Sequence, residues 1–239
     1  MQPLISLFIA TLFAGLAMPA GAMIARFENI KSNWLEDELR HSIMAFGGGA
    51  LLSAIALVLV PEGIIHLQPL SASLLFIAGG AAFMGLDIYL NKHNTQAGQL
   101  AAMLTDFIPE SIALGAAFAS DSATAYLLAG LIALQNLPEG FNAFRELADN
   151  KKKSYSASKI ITIFCAMALL GPIAGIIGFY CLSDSTAAIG GIMLFASGAI
   201  LYSIFQDIAP QVKLEKHYAP PMGAILGFVL GLLGFMLTK

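Results

Sequence analysis

The chain has 239 residues, of which 58% are hydrophobic and 11% charged, with a mean hydropathy of +0.79. Soluble domains of this size carry roughly a quarter charged residues, so a soluble enzyme and a nucleic-acid-binding module are both excluded. The net charge of −3 says less than the placement of the charges.

Eight stretches of mostly apolar residues can be marked, each long enough to cross a hydrocarbon core of about 30 Å as a helix. The first, 3–24, follows Met1-Gln2-Pro3-Leu4 and lacks a basic n-region, so it reads as a retained span. Residues 26–42 have mixed charges and the only tryptophan, Trp34, which predicts a short cytosolic or interfacial helix. The second stretch, 43–62, ends in Val60-Pro61-Glu62-Gly63, and the third, 70–91, carries Asp87. The fourth and fifth are 99–119 and 123–147. The sixth, 160–182, holds Cys165 and Cys181, which read as small buried hydrophobes because no histidine or third cysteine is near. The seventh, 187–209, ends Phe205-Gln206-Asp207-Ile208-Ala209-Pro210. The eighth, 219–238, carries Gly223, Gly227 and Gly231 at four-residue spacing, which permits close helix packing within one subunit or, alternatively, in a homodimer. The expectation is an all-α membrane protein, a single transmembrane domain of eight helices.

Eleven of the twelve basic residues fall in or beside odd-numbered connections, from Arg26, Lys31 and Arg40 through Lys92, Arg145, Lys151–Lys153 and Lys159 to Lys213 and Lys216. Basic residues flanking spans stay cytoplasmic, so both termini are expected outside. The Lys151–Lys153 run reads as such an anchor, with bilayer lipid its surroundings. His41, His66, His93 and His217 lie in or beside loops and read as surface residues.

Ionisable groups inside spans cost at least about 2.5–3.5 kcal/mol each and mark function. The fourth stretch reads Asp106-Phe107-Ile108-Pro109-Glu110-Ser111, and the fifth reads Gln135-Asn136-Leu137-Pro138-Glu139-Gly140. These are two copies of one pattern. A polar residue and a glutamate four residues on share a helix face, and each proline frees the carbonyl four residues before it. Antiparallel neighbours would bring the copies to one depth. Three carboxylates and two amides at Asp106, Glu110, Gln135, Asn136 and Glu139 suit a divalent cation. Gln206 and Asp207, with Pro210 after them, echo the motif, while Glu62 and Asp87 could mark an entrance and an exit. Protons compete for the same oxygens, so uptake is expected to weaken as pH falls.

These motifs resemble the ZIP (Zrt/Irt-like) family of metal transporters, particularly its short bacterial members. The match is sharpest at Gln135, Asn136, Pro138, Glu139 and Gly140; in the fourth helix it holds only at Pro109 and Glu110. Asp106 stands where that family has histidine, Phe107 where it has asparagine and Ser111 where it has glycine. The resemblance implies a 3+2+3 arrangement of helices with inverted repeats and a bacterial inner-membrane location. It also implies import of a divalent metal, zinc first and then cadmium, iron or manganese, with Glu139 a ligand and no cofactor or catalytic residue. Phe107 cannot coordinate, which leaves one metal or two open. The rivals are a proton-coupled carrier of a small organic solute, which wants an Arg or Lys counter-ion absent from mid-span, and a membrane-embedded metalloenzyme, for which no HExxH motif is present.

Overall fold

The structure, a computed structural model, describes residues 2–27, 33–93, 96–120, 122–148, 155–182, 185–212 and 218–238. All of the regular structure within them is helical. Helix α1 is Gln2–Phe27. Helix α2 runs over 33–64 as Asn33–Ala54, a π-helical turn Ile55–Leu59, and Val60–Ile64. Helices α3, α4 and α5 are Pro69–His93, Gln96–Ser120 and Ser122–Ala148. Helix α6 covers 157–182 as Ala157–Ala168 and Leu170–Leu182. Helix α7 covers 186–212 as Thr186–Ser203, a π turn Ile204–Ile208, and Ala209–Val212, and α8 is Ala219–Thr238.

The local sequence accounts for the ends and the irregularities. Ser156 and Ser185 cap α6 and α7, their hydroxyl oxygens accepting from Lys159 N (3.4 Å) and Ala188 N (3.2 Å). The break at Leu169 precedes Pro172, which has no N–H for the Ala168 carbonyl. Each π turn ends two residues before a proline, Leu59 before Pro61 and Ile208 before Pro210. A proline ring clashes with the carbonyl four residues earlier, here those of Leu57 and Gln206, and the wider turn relieves the clash. Pro109 and Pro138, by contrast, sit in helices that remain α throughout.

Residues 33–42 form the first part of α2 rather than a separate helix. Lys31, the Trp34 side chain, Lys151–Lys153, Lys213, Lys216, His217 and the side chains of His93 and Cys181 lie outside the described residues. Cys165, expected to be buried, is exposed on α6 with a free thiol. His66 is exposed and His41 half-buried.

The principal packing pairs are α1 with α5, α2 with α8, α3 with α7 and α4 with α6. Glycine lets the backbones meet in every one of them. A Cβ on Gly21 would strike the Leu137 carbonyl, and one on Gly140 the Met18 carbonyl. Gly79 and Gly198 stand in the same relation to Phe195 and Phe76, and Gly115 and Gly178 to Gly175 and Ile112. The α8 stripe behaves as expected of intramolecular packing, for Gly223 and Gly227 press on the backbone of Ser42 and Phe46 in α2, and Gly231 on the Ser53 side chain.

Among the described residues six helical segments are long and apolar enough to cross a membrane, lying in α1, α2, α3, α6, α7 and α8, which is the mark of a multi-pass membrane protein. Helices α4 and α5 carry the polar motifs and are largely buried from Phe107 to Phe118 and from Leu128 to Phe144. Helices α3 and α8 instead expose apolar faces, including Leu70, Leu74 and Ile77 on one and Ile225, Leu226 and Leu233 on the other. Lipid is the solvent such faces require.

Candidate cation site

The two motif copies meet. Gln135 Nε2 donates to Glu110 Oε2 at 3.0 Å, joining α5 to α4, and it also donates to Asn136 Oδ1 at 2.6 Å. Glu110 and Gln135 are 2% and 6% exposed. With Glu139, whose Oε2 is buried, they line a cavity of about 370 Å³. Asp87 from α3, Asp207 and Ser203 from α7, Arg40 from α2 and Asn142 from α5 also form the polar part of its wall. Four carboxylates therefore face one guanidinium. Arg40 Nε donates to Asn142 Oδ1 at 3.0 Å, and the Tyr202 hydroxyl donates to Asp87 Oδ2 at 3.2 Å. A larger crevice of about 460 Å³ between α2, α7 and α8 is lined by apolar side chains and offers no chemistry, and Ile208 lines both spaces.

Helix geometry decides which motif residues reach the cavity. The first and fifth positions of the α5 copy, Gln135 and Glu139, share the cavity face. The second position lies about 100° round the helix and packs on α1 in both copies. Phe107 is fully buried against Gly15 of α1 and Gly171 of α6. Asn136 is also fully buried, and its Nδ2 donates to the Ala14 carbonyl of α1 at 2.9 Å. Asn136, expected as a ligand, is therefore absent from the cavity wall. Gln206 is separated as well. It is exposed and lines a different depression with Tyr202 and Phe205, since adjacent residues on a helix diverge, whereas Asp207 joins the cavity. Asp106 lies in α4, one turn before Glu110, and its side chain lies outside the described residues. Glu62 is half-buried and apart from the cavity. Among the described residues no three His, Cys, Asp or Glu side chains come close enough together to hold a metal ion.

Arg40, Asn142 and Ser203 are the polar cavity residues that sequence reasoning missed. Asn142 was detectable, because Gln135, Glu139 and Asn142 follow the i, i+4, i+7 spacing of one helix face. Arg40 was assigned to a loop, and only the continuity of α2 through 33–54 carries it to the cavity.

Fold and site together define a class, a helical membrane-type protein with a cavity lined by carboxylates from α3, α4, α5 and α7. No family model matches the chain, and no curated protein shows a significant match to it.

Proposed function

We propose that the chain is a ZIP-like transporter moving a divalent cation, zinc first and then cadmium, iron or manganese, toward the cytoplasm. The observation that carries this reading is the 3.0 Å contact between Gln135 and Glu110 at one cavity, which joins two Pro-Glu motifs among apolar helices. Buried carboxylates are costly in such surroundings and serve where a cation passes. Carboxylate and amide oxygens accept zinc, manganese and iron alike, and the family resemblance of α5 puts zinc first.

The packing supports the 3+2+3 arrangement of eight spans. Exchanging α1 with α6, α2 with α7, α3 with α8 and α4 with α5 maps the pair α1–α5 onto α6–α4 and α2–α8 onto α7–α3. The two π turns, each placed in the same way before a proline, correspond under the same exchange. Such repeats enclose midplane ion sites. With basic connections inside, both termini are outside, and Arg40, Asp87 and Asp207 lie toward the cytoplasmic ends of their helices.

Uptake into proteoliposomes, with zinc, cadmium, manganese and iron in competition, tests this reading. Zinc uptake suppressed by an excess of the other ions is the expected result, and liposomes that take up none of the four would refute it. Because ligand oxygens must be deprotonated to bind metal, uptake is expected to fall as the medium is acidified from about pH 8 to about pH 5. A flat profile would count against a carboxylate site.

Arg40 favours a second reading, a proton-coupled carrier of a small organic anion, because it supplies the counter-ion such a carrier needs. Arg40→Gln separates the two. A cation site gains from the loss of a nearby positive charge, so metal uptake is expected to stay at or above the wild-type level. Uptake of an organic anion, and not of metal, by the wild type, lost in Arg40→Gln, would favour the carrier.

A further inference from the structure

Asn136 is fully buried yet stands off the cavity, and its hydrogen bonds run in one direction. The Ala14 carbonyl can only accept, so the group facing it at 2.9 Å is the Asn136 NH₂. That leaves Asn136 Oδ1 toward Gln135, where it also can only accept, and the group facing it at 2.6 Å is the Gln135 NH₂. The second N–H of that group points at Glu110 Oε2, 3.0 Å away. A main-chain oxygen on α1 thus decides, through two amides, that Gln135 meets Glu110 as a donor. An oxygen ligand would have to face the other way.

We propose that Asn136 is a positioning residue, which orients the Gln135 amide so that it opposes a cation at Glu110 and thereby sets the site's affinity. This rests on the reading of the cavity as a divalent-cation site. A cation that binds Glu110 Oε2 shares that oxygen with the Gln135 N–H, whose positive end opposes it. If Gln135 Oε1 is to join the ligands, the amide must turn over and give up its bond to Asn136 as well. The site is held short of its tightest binding, as suits a transporter that has to release its cargo.

The test is a zinc titration by calorimetry on purified full-length protein in lipid nanodiscs. It is read beside the side-chain amide NMR signal of Gln135 in protein labelled with ¹⁵N-glutamine, assigned by its loss in Gln135→Leu. Asn136→Leu removes one net hydrogen bond from the cost of turning the amide, so zinc affinity is expected to rise on the order of tenfold. The Gln135 amide signal is expected to move in Asn136→Leu. If Asn136→Leu does not fold, Asn136→Ala is read in the same way. Unchanged or weaker zinc affinity in the Asn136 variant overturns the proposal. If Glu110→Gln and Glu139→Gln bind zinc like wild type, it is the cation reading that fails. The orienting role is then decided by the amide signal alone, and an unmoved signal overturns it.

Discussion

Glu139→Ala and Glu110→Ala are each expected to reduce metal uptake to the background of empty liposomes while the protein still inserts and folds. Both side chains line the cavity, one from each Pro-Glu motif. Each would supply a charged oxygen where water is scarce. Removing one partner of a buried charge interaction costs about 3–5 kcal/mol, which is roughly a hundredfold to a few thousandfold in binding. The cost to folding is smaller. Truncating Glu110 leaves a Gln135 N–H without its acceptor, about 1–3 kcal/mol, so Glu110→Gln, which keeps the volume, serves as a control for folding. Asp87 and Asp207 face the cavity from the outlying helices, and their alanine variants are expected to slow uptake without abolishing it. The measurements are initial rates of zinc uptake, with size-exclusion profiles and helical circular dichroism reporting the fold. Uptake above a tenth of wild type in Glu139→Ala would sink the assignment of the site.

The helices were legible in the sequence because apolar runs of bilayer length leave little choice of structure, and all eight marked stretches fall on helical rods. The meeting of Glu110 with Gln135 was legible too, since repeated motifs on consecutive antiparallel helices have to come level. What did not show was direction around a helix axis. Nothing in the string Gln135-Asn136 says that the first amide faces a cavity while the second is spent on the Ala14 carbonyl, because that depends on where α1 lies. Gln206 and Asp207 part for the same reason. The π turns were hidden although their prolines were visible, for Pro109 and Pro138 are accommodated in continuous α-helix and only Pro61 and Pro210 follow a widened turn. Ser111 in the α4 copy, where the α5 copy has Gly140, also becomes intelligible. Ser111 is buried, and the close approach to α6 is made one turn later by Gly115 against Gly175.

Gly140→Ala is expected to destabilise the protein. A Cβ at Gly140 would meet the Met18 carbonyl oxygen and lie 2.7 Å from both its carbonyl carbon and its Cα. These are main-chain atoms of α1, which cannot swing aside as a side-chain tip can. From the other side, a Cβ on Gly21 would meet the Leu137 carbonyl oxygen and stand 2.8 Å from Phe141 N. Helices α1 and α5 would have to separate, at about 1–3 kcal/mol for each variant. That separation also stretches the 2.9 Å contact of Asn136 with Ala14, so zinc uptake is expected to decline together with the thermal midpoint. A Cβ at Gly130, on the same helix, would meet nothing within 4 Å. Gly130→Ala is therefore expected to be neutral or to stabilise by up to about 1 kcal/mol. The double variant Gly21→Ala/Gly140→Ala is expected to lose less than the sum of its parts, because helices already parted for one methyl admit the other. Thermal unfolding of the wild type and the four variants in one lipid checks this. If Gly140→Ala melts with Gly130→Ala, close packing of α1 on α5 is not what holds the Asn136–Gln135–Glu110 chain in place.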